Sequence, residues 1–248
     1  MTNTKRAIRA AVSLAAFSLI FALAVGAIYF FFFVRGDRNS SPVSTEPRKT
    51  VVIDAGHGGM DGGCISETVS GTGGERILEK DCNLSISQIL ATLFRVSGYN
   101  VVMTRENDIM LDEEGLSGTA KMRDLRARLN IANKYPDTLF ISVHCNKFPS
   151  SSCKGLQVYY SKNHTSSQVA AAAVQRSAIA LLQPENKRQI KQADTSIFLL
   201  SHATQPAILI ECGFLSNPEE AALLSEENYQ KKLALTILLP LITENNET

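Results

Sequence analysis

Four histidines occur in this 248-residue chain: His57, His144, His164 and His202. Two of them end apolar, β-branched runs and are followed by residues that turn the chain, "VVIDAGHGG" around His57 and "LFISVHCN" around His144. Two imidazoles plus one carboxylate form the usual ligand set of a catalytic Zn²⁺ in peptide-hydrolysing enzymes, with the fourth position open to water. Several residues could supply that carboxylate. Glu79 in "ILEKDCNL" directly precedes an amphipathic stretch, and a strand-to-helix connection returns such a helix start to the same edge as His57. Glu75 lies in a looser glycine-rich loop, while Asp54 belongs to the strand and faces the core or orients an imidazole. Placement alone favours Glu79 over Glu75.

A metal does not complete hydrolysis. The attacking water needs a base that later hands its proton to the leaving amine, and a carboxylate commonly serves. Glu211 ends the most apolar strand of the chain, in "PAILIECGFLSN", where mere burial of a charge would be costly. Asp54, Asp61, Arg128, Asn146 and His202 are candidates for touching substrate or orienting the ligands. Arg128 sits on an amphipathic helix, where bracing of the edge loops by an ion pair and a plain solvated face are equally good readings. His164 reads as a surface histidine, and Asn83 and Asn217 as helix caps. Cys64, Cys82, Cys145, Cys153 and Cys212 are odd in number and lack a C-x-x-C pair, so they read as small buried hydrophobes rather than a disulfide framework. Cys145 and Cys212 each follow a candidate residue on a strand and should face the opposite way.

The elements that must position these groups follow from periodicity. "TVVIDAG", "YNVVMTR", "DTLFISVH", "GLQVYYS" and "PAILIECG" read as strands. "NLSISQILATLFRVSG", "AKMRDLRARLNIANKY", "SSQVAAAAVQRSAIALL" and a last segment through Leu238 read as helices. Strands separated by helices imply crossovers, hence an α/β fold: a mostly parallel open sheet with helices on both faces, in a single domain. In such sheets functional groups collect outside the carboxyl ends of the strands. That rule selects His57, His144 and Glu211.

Before the domain, "MTNTKRAIRA" is basic, and about residues 10–34 run without a charge, long enough to span a bilayer. An uncleaved N-terminal transmembrane helix is favoured over a signal peptide, because about ten apolar residues follow the small-x-small site at Ala22 to Ala24. The basic flank places everything after Arg35 on the outer side of the membrane. The organisation expected is an anchor over residues 1–36, a polar linker over 37–49, the domain over 50–243 and a polar tail over 244–248. With 25 basic against 24 acidic side chains, no electrostatic argument for nucleic acid exists.

"VVIDAGHGGMDGG", "LEKDCNL", "ISVHCN" and "ILIECGFLSNPEEAALL", in this order, resemble the zinc-dependent N-acetylmuramoyl-L-alanine amidases of the Amidase 3 family. The resemblance covers Val51 to about Leu241. It implies that His57, Glu79 and His144 bind one Zn²⁺, that Glu211 is the catalytic carboxylate, and that the substrate is the amide between N-acetylmuramic acid and the L-Ala of the peptidoglycan stem. The anchor, "MTRENDIMLDEEG" and a lone catalytic domain look most like the germination-specific members from endospore formers, which act on spore cortex and prepare muramic-δ-lactam. Two features depart from the pattern. Ala55 stands where a proline is common, and "CISETVSGTGGE" is long and glycine-rich. The second departure suggests a metal site completed by an accessory protein or by substrate. The alternatives are a zinc exopeptidase on free peptides and a wall-binding module without catalysis.

Overall fold

The computed structural model describes residues 48–67, 76–112, 115 and 117–243. The expected membrane helix, most of the linker, Glu75 and the tail lie outside the described residues. Among the described residues no helix is long and apolar enough to cross a membrane.

Among the described residues twelve elements follow one another: β1 (Thr50–Ala55), α1 (Glu79–Val96), β2 (Asn100–Met103), α2 (Ala120–Asn133), β3 (Leu139–Asn146), β4 (Gln157–Tyr160), α3 (Thr165–Leu181), β5 (Lys191–Gln192), α4 (Phe198–His202), β6 (Ala207–Phe214), α5 (Pro218–Ser225) and α6 (Glu227–Thr243). The strands form one sheet in the order β2-β1-β3-β6-β4-β5. All neighbours are parallel except β4 and β6. The exception has a simple cause. No helix separates β3 from β4, so the chain re-enters the sheet from the edge it has just left and runs the other way.

Side chains alternate along the buried strands, and each face has its own core. Val51, Ile53, Ile141, Val143, Ile208 and Ile210 belong to the larger cluster, beneath α1, α3 and α6. Val52, Phe140 and Leu209 belong to the smaller one, with Ala132 of α2 and Leu199 and Leu200 of α4. On this second face the strands turn polar toward their carboxyl ends. Two residues past Val52 comes Asp54, past Phe140 come Ser142 and then His144, and past Leu209 comes Glu211. Register aligns Asp54 with Ser142 and His144 with Glu211. The opposite face keeps Cys145 and Cys212 in the core, in line with the period of two.

Three boundaries differ from the sequence reading. Helix α1 begins at Glu79 rather than at Asn83, and acidic Glu79 and Asp81 occupy its first turn, where the helix dipole favours negative charge. Asn83 therefore lies inside the helix and caps nothing, whereas Asn217 does cap α5, accepting from the N–H groups of Glu219 and Glu220 ahead of Pro218. The last helical segment is two helices, and α6 continues past Pro240 to Thr243. A helical proline removes the bond to the carbonyl four residues earlier. That carbonyl, on Thr236, instead accepts from Ser177 Oγ of α3 at 2.8 Å, so the interruption leaves no orphan.

Candidate metal centre and active site

The first strand delivers His57 beside the third. Gly56 N–H still donates to Val143 carbonyl at 3.1 Å, extending the β1–β3 ladder one residue beyond β1. A Cβ at Gly56 would lie 2.2 Å from His144 Cε1, so the His144 ring occupies space that only glycine leaves. His57 then takes φ +62°, in the left-handed region, at a cost of roughly 1 kcal/mol or more. Several partners hold it there. Its carbonyl accepts from Arg128 Nη2 at 2.6 Å, and its Nδ1 meets Asp61 Oδ2 at 2.9 Å. Asp61 in turn accepts from Gly63 N–H at 3.1 Å. With Nδ1 tied to Asp61, the Nε2 atom is left for a ligand.

Glu79 closes the cluster from the first turn of α1. Its Oε1 lies 3.2 Å from His57 Nε2 and 3.0 Å from His144 Nδ1. The carboxylate is anchored by Cys145 N–H on Oε1 at 3.2 Å, by Asn83 Nδ2 on the same atom at 3.3 Å and by Cys64 N–H on Oε2 at 2.8 Å. Gly63, at φ +68°, makes room: a Cβ there would sit 2.5 Å from Glu79 Oε2. Burial alone would raise the Glu79 carboxyl, but the two imidazoles outweigh it and hold the group well below the usual carboxylate range. His57 moves the other way. Burial works against its charged form, yet Glu79 and Asp61 raise its pKa. The three residues offer ligand atoms within 4.8 Å of one another, a two-nitrogen, one-oxygen set that fits a single metal ion. Protons and metal compete for these atoms, so binding of a metal releases protons.

Glu211 stands across from His144 on β6. Its Oε2 is buried and has no hydrogen-bond partner among the described residues. Burial pushes its carboxyl up to about 7, with the Glu79 carboxylate adding to the rise and the two imidazoles opposing it. A carboxyl poised near neutrality can take a proton and return it, which is what a general base that becomes a general acid requires.

The other candidates sort into braces and bystanders. Arg128 is 1% exposed, which removes both the solvated face and substrate contact. It pairs with Asp54 at 2.8 Å and Asp124 at 2.7 Å and donates to the carbonyls of Ala55 and His57. Asp54 is fully buried and accepts from Thr104, Ser142 and Arg128, so it touches neither substrate nor an imidazole by a hydrogen bond. It reaches His57 only through Arg128. The Asn146 carbonyl accepts from Leu215 N–H, joining the ends of β3 and β6. His202 stacks on Phe198 at 4.3 Å and bonds to Ser201 and the Phe198 carbonyl, a set of local partners on α4 that includes none of the clustered residues. His164 is exposed and caps α3.

All five cysteines are free, with Cys82, Cys145 and Cys212 buried and Cys64 and Cys153 only partly so. Burial raises the thiols of Cys64, Cys212 and, through its contact with Cys82, Cys145, which keeps them protonated and unsuited to nucleophilic attack. Two braces escaped the sequence reading. Arg105, 2% exposed, donates to the carbonyls of Ala55, Gly56 and Lys80, tying β1 to the start of α1. Asn83 donates to Gly56 carbonyl as well as to Glu79. The only available signal was position: Arg105 lies two residues past the end of β2, at the functional edge.

Two imidazoles, a depressed carboxylate and a second carboxylate raised toward neutrality, all at one sheet edge, form a set that could hold a metal ion beside a proton-transferring group, the kit of a hydrolase site. The chain belongs to the N-acetylmuramoyl-L-alanine amidase family Amidase_3, whose model matches residues 51–242. It is 36% identical over 191 residues to the germination-specific N-acetylmuramoyl-L-alanine amidase of Bacillus subtilis, covering 76% of each chain. Among solved structures, the CwlD amidase of Clostridioides difficile in complex with the GerS lipoprotein superposes with a TM-score of 0.71 at 33% identity, over 81% of this chain and all of that one. The amidase AmiC2 of Nostoc punctiforme gives 0.65 at 26% identity, over 81% and 98%. The protein is thus an amidase of the cell-wall hydrolase type.

Proposed function

We propose that this amidase uses Zn²⁺ to hydrolyse the amide between the lactyl group of N-acetylmuramic acid and the L-Ala of the stem peptide. One observation carries the reading: Glu211, with an unpartnered oxygen, stands in register with His144 beside the His57, Glu79 and His144 donor set. His57, Glu79 and His144 would hold Zn²⁺, whose chemistry there would be that of a Lewis acid toward the scissile carbonyl and water. Glu211 takes the proton of the attacking water as the C–O bond forms. As the C–N bond breaks, it returns that proton to the leaving amine of L-Ala, ending in the state in which it began. Asp61 keeps His57 in the tautomer and orientation that present Nε2, while Arg128 and Arg105 hold the β1 turn in place.

Spore cortex is the proposed site of action, with stem removal preparing muramic-δ-lactam for germination. Its support is the likeness to the germination-specific enzyme of B. subtilis and to the C. difficile amidase. The latter was solved with a lipoprotein bound, which favours an accessory protein acting on this chain too. We also assign the charge-free run over residues 10–34 to a membrane anchor that leaves the domain on the outer side, within reach of the wall.

Metal removal tests the zinc assignment. Saturation at about 100 times Kd stabilises the native state by roughly 2.7 kcal/mol, so chelation should lower Tm by about 5–10 °C for a domain of this size. Activity should vanish with it and return on adding Zn²⁺. An amidase that keeps its rate and its Tm after exhaustive chelation, checked by metal analysis, would exclude the assignment.

A further inference from the structure

Beyond the donor set, the same edge carries a cavity of about 320 Å³ bounded by Glu67, Lys147, Phe148, Pro149, Ser151 and Ser216. Its walls grow from the segments that build the site. Lys147 is three residues past His144, Ser216 five past Glu211, and Glu67 three past Cys64, whose N–H holds Glu79. The walls are cross-tied. Lys147 Nζ donates to Ile65 carbonyl at 2.9 Å, Phe148 N–H to Ser216 Oγ at 3.1 Å, and Asn217 Nδ2 to Ser151 carbonyl at 2.8 Å. Lys147 keeps two of its three N–H donors after that bond. Phe148, 53% exposed, adds an apolar ring to the lining.

Opposite charges in one small cavity favour a zwitterionic ligand. On either side of the scissile amide, charge is unevenly distributed: the sugar presents hydroxyls and a neutral N-acetyl group, whereas the stem peptide carries free carboxylates and, on its diamino acid, an amine. We infer that this cavity is the subsite for the stem peptide, with Lys147 taking a carboxylate and Glu67 the diamino-acid amine. The inference rests on the amidase reading and adds how the leaving peptide is recognised. It makes Lys147 and Glu67 substrate-binding residues.

The test uses the purified full chain with Zn²⁺ and two substrates: glycan strands bearing tripeptide stems, and strands trimmed to L-Ala alone. Lys147→Met keeps the aliphatic stem and should lower kcat/KM on the tripeptide substrate about tenfold while leaving the trimmed one unchanged. Raising salt to about 0.5 M should shrink that difference, because the contact is exposed. Glu67→Gln should abolish discrimination between free and N-acetylated diamino-acid stems. Equal losses on both substrates, which a merely structural role for the Ile65 tie would produce, would overturn the subsite, and so would no loss on either. A wild-type chain that stays inactive on both even with its accessory lipoprotein supplied would overturn the amidase reading and the subsite with it.

Discussion

Glu211→Gln should fold, bind Zn²⁺ and lose activity, with kcat lower by about 10²–10⁴-fold, the usual share of a general acid–base. The substitution keeps side-chain volume and removes only the ability to carry a proton. Glu211 is not among the three clustered donor residues, and its buried Oε2 makes no hydrogen bond among the described residues, so no brace of the site depends on it. The same burial that raises its carboxyl to about 7 supplies proton affinity at neutral pH, which an amide nitrogen lacks. Steady-state kinetics with metal analysis of the same preparation checks both halves. Normal turnover in a fully metallated variant would remove Glu211 from the reaction.

Arg128→Met should be among the most destabilising single changes in the chain. Removing one partner of a buried ion pair costs about 3–5 kcal/mol, because the charge left behind has no solvent. Here two carboxylates are stranded, those of Asp54 and Asp124, and the carbonyls of Ala55 and His57 lose a donor. Thermal unfolding should show Tm lower by about 10 °C or more. The same network sets a pH signature. Burial would raise the Asp54 carboxyl, but Arg128, together with Ser142, His144 and Thr104, brings it below the ordinary value. A depressed folded-state pKa contributes stability that is present above the unfolded carboxylate pKa and lost as pH falls through the folded one. The variant should therefore lose this acid-side dependence, and Asp54→Asn combined with Arg128→Met should recover part of the stability. A Tm within a degree of wild type would show that the network holds little.

The sheet and its functional edge were legible because continuous apolar runs mark buried strands and each ends in a residue that buried strands do not tolerate. His57, His144 and Glu211 announce themselves in this way. The braces were not legible, since their roles depend on what stands opposite. Arg128 looks the same in sequence whether its helix face meets water or Asp54, 74 residues earlier in the chain, and only tertiary packing decides. Asn83 looked like a cap because its residue type favours caps. The acidic first turn moved the helix start four residues earlier and turned that side chain inward onto Gly56 and Glu79. Similarly, the last helix, read as running through Leu238, continues past Pro240 to Thr243, where Ser177 of a neighbouring helix satisfies the freed carbonyl of Thr236. For Arg128 and Pro240 a non-local partner decides what the local sequence leaves open.

The regiochemistry of cleavage tests the central claim most directly. Purified peptidoglycan digested by the full chain with Zn²⁺ and analysed by mass spectrometry should yield intact stem peptides with a new amino terminus on L-Ala. The glycan strands should remain uncut and carry free lactyl carboxylates. Peptides cut between their own residues, with L-Ala still attached to muramic acid, would contradict the assignment.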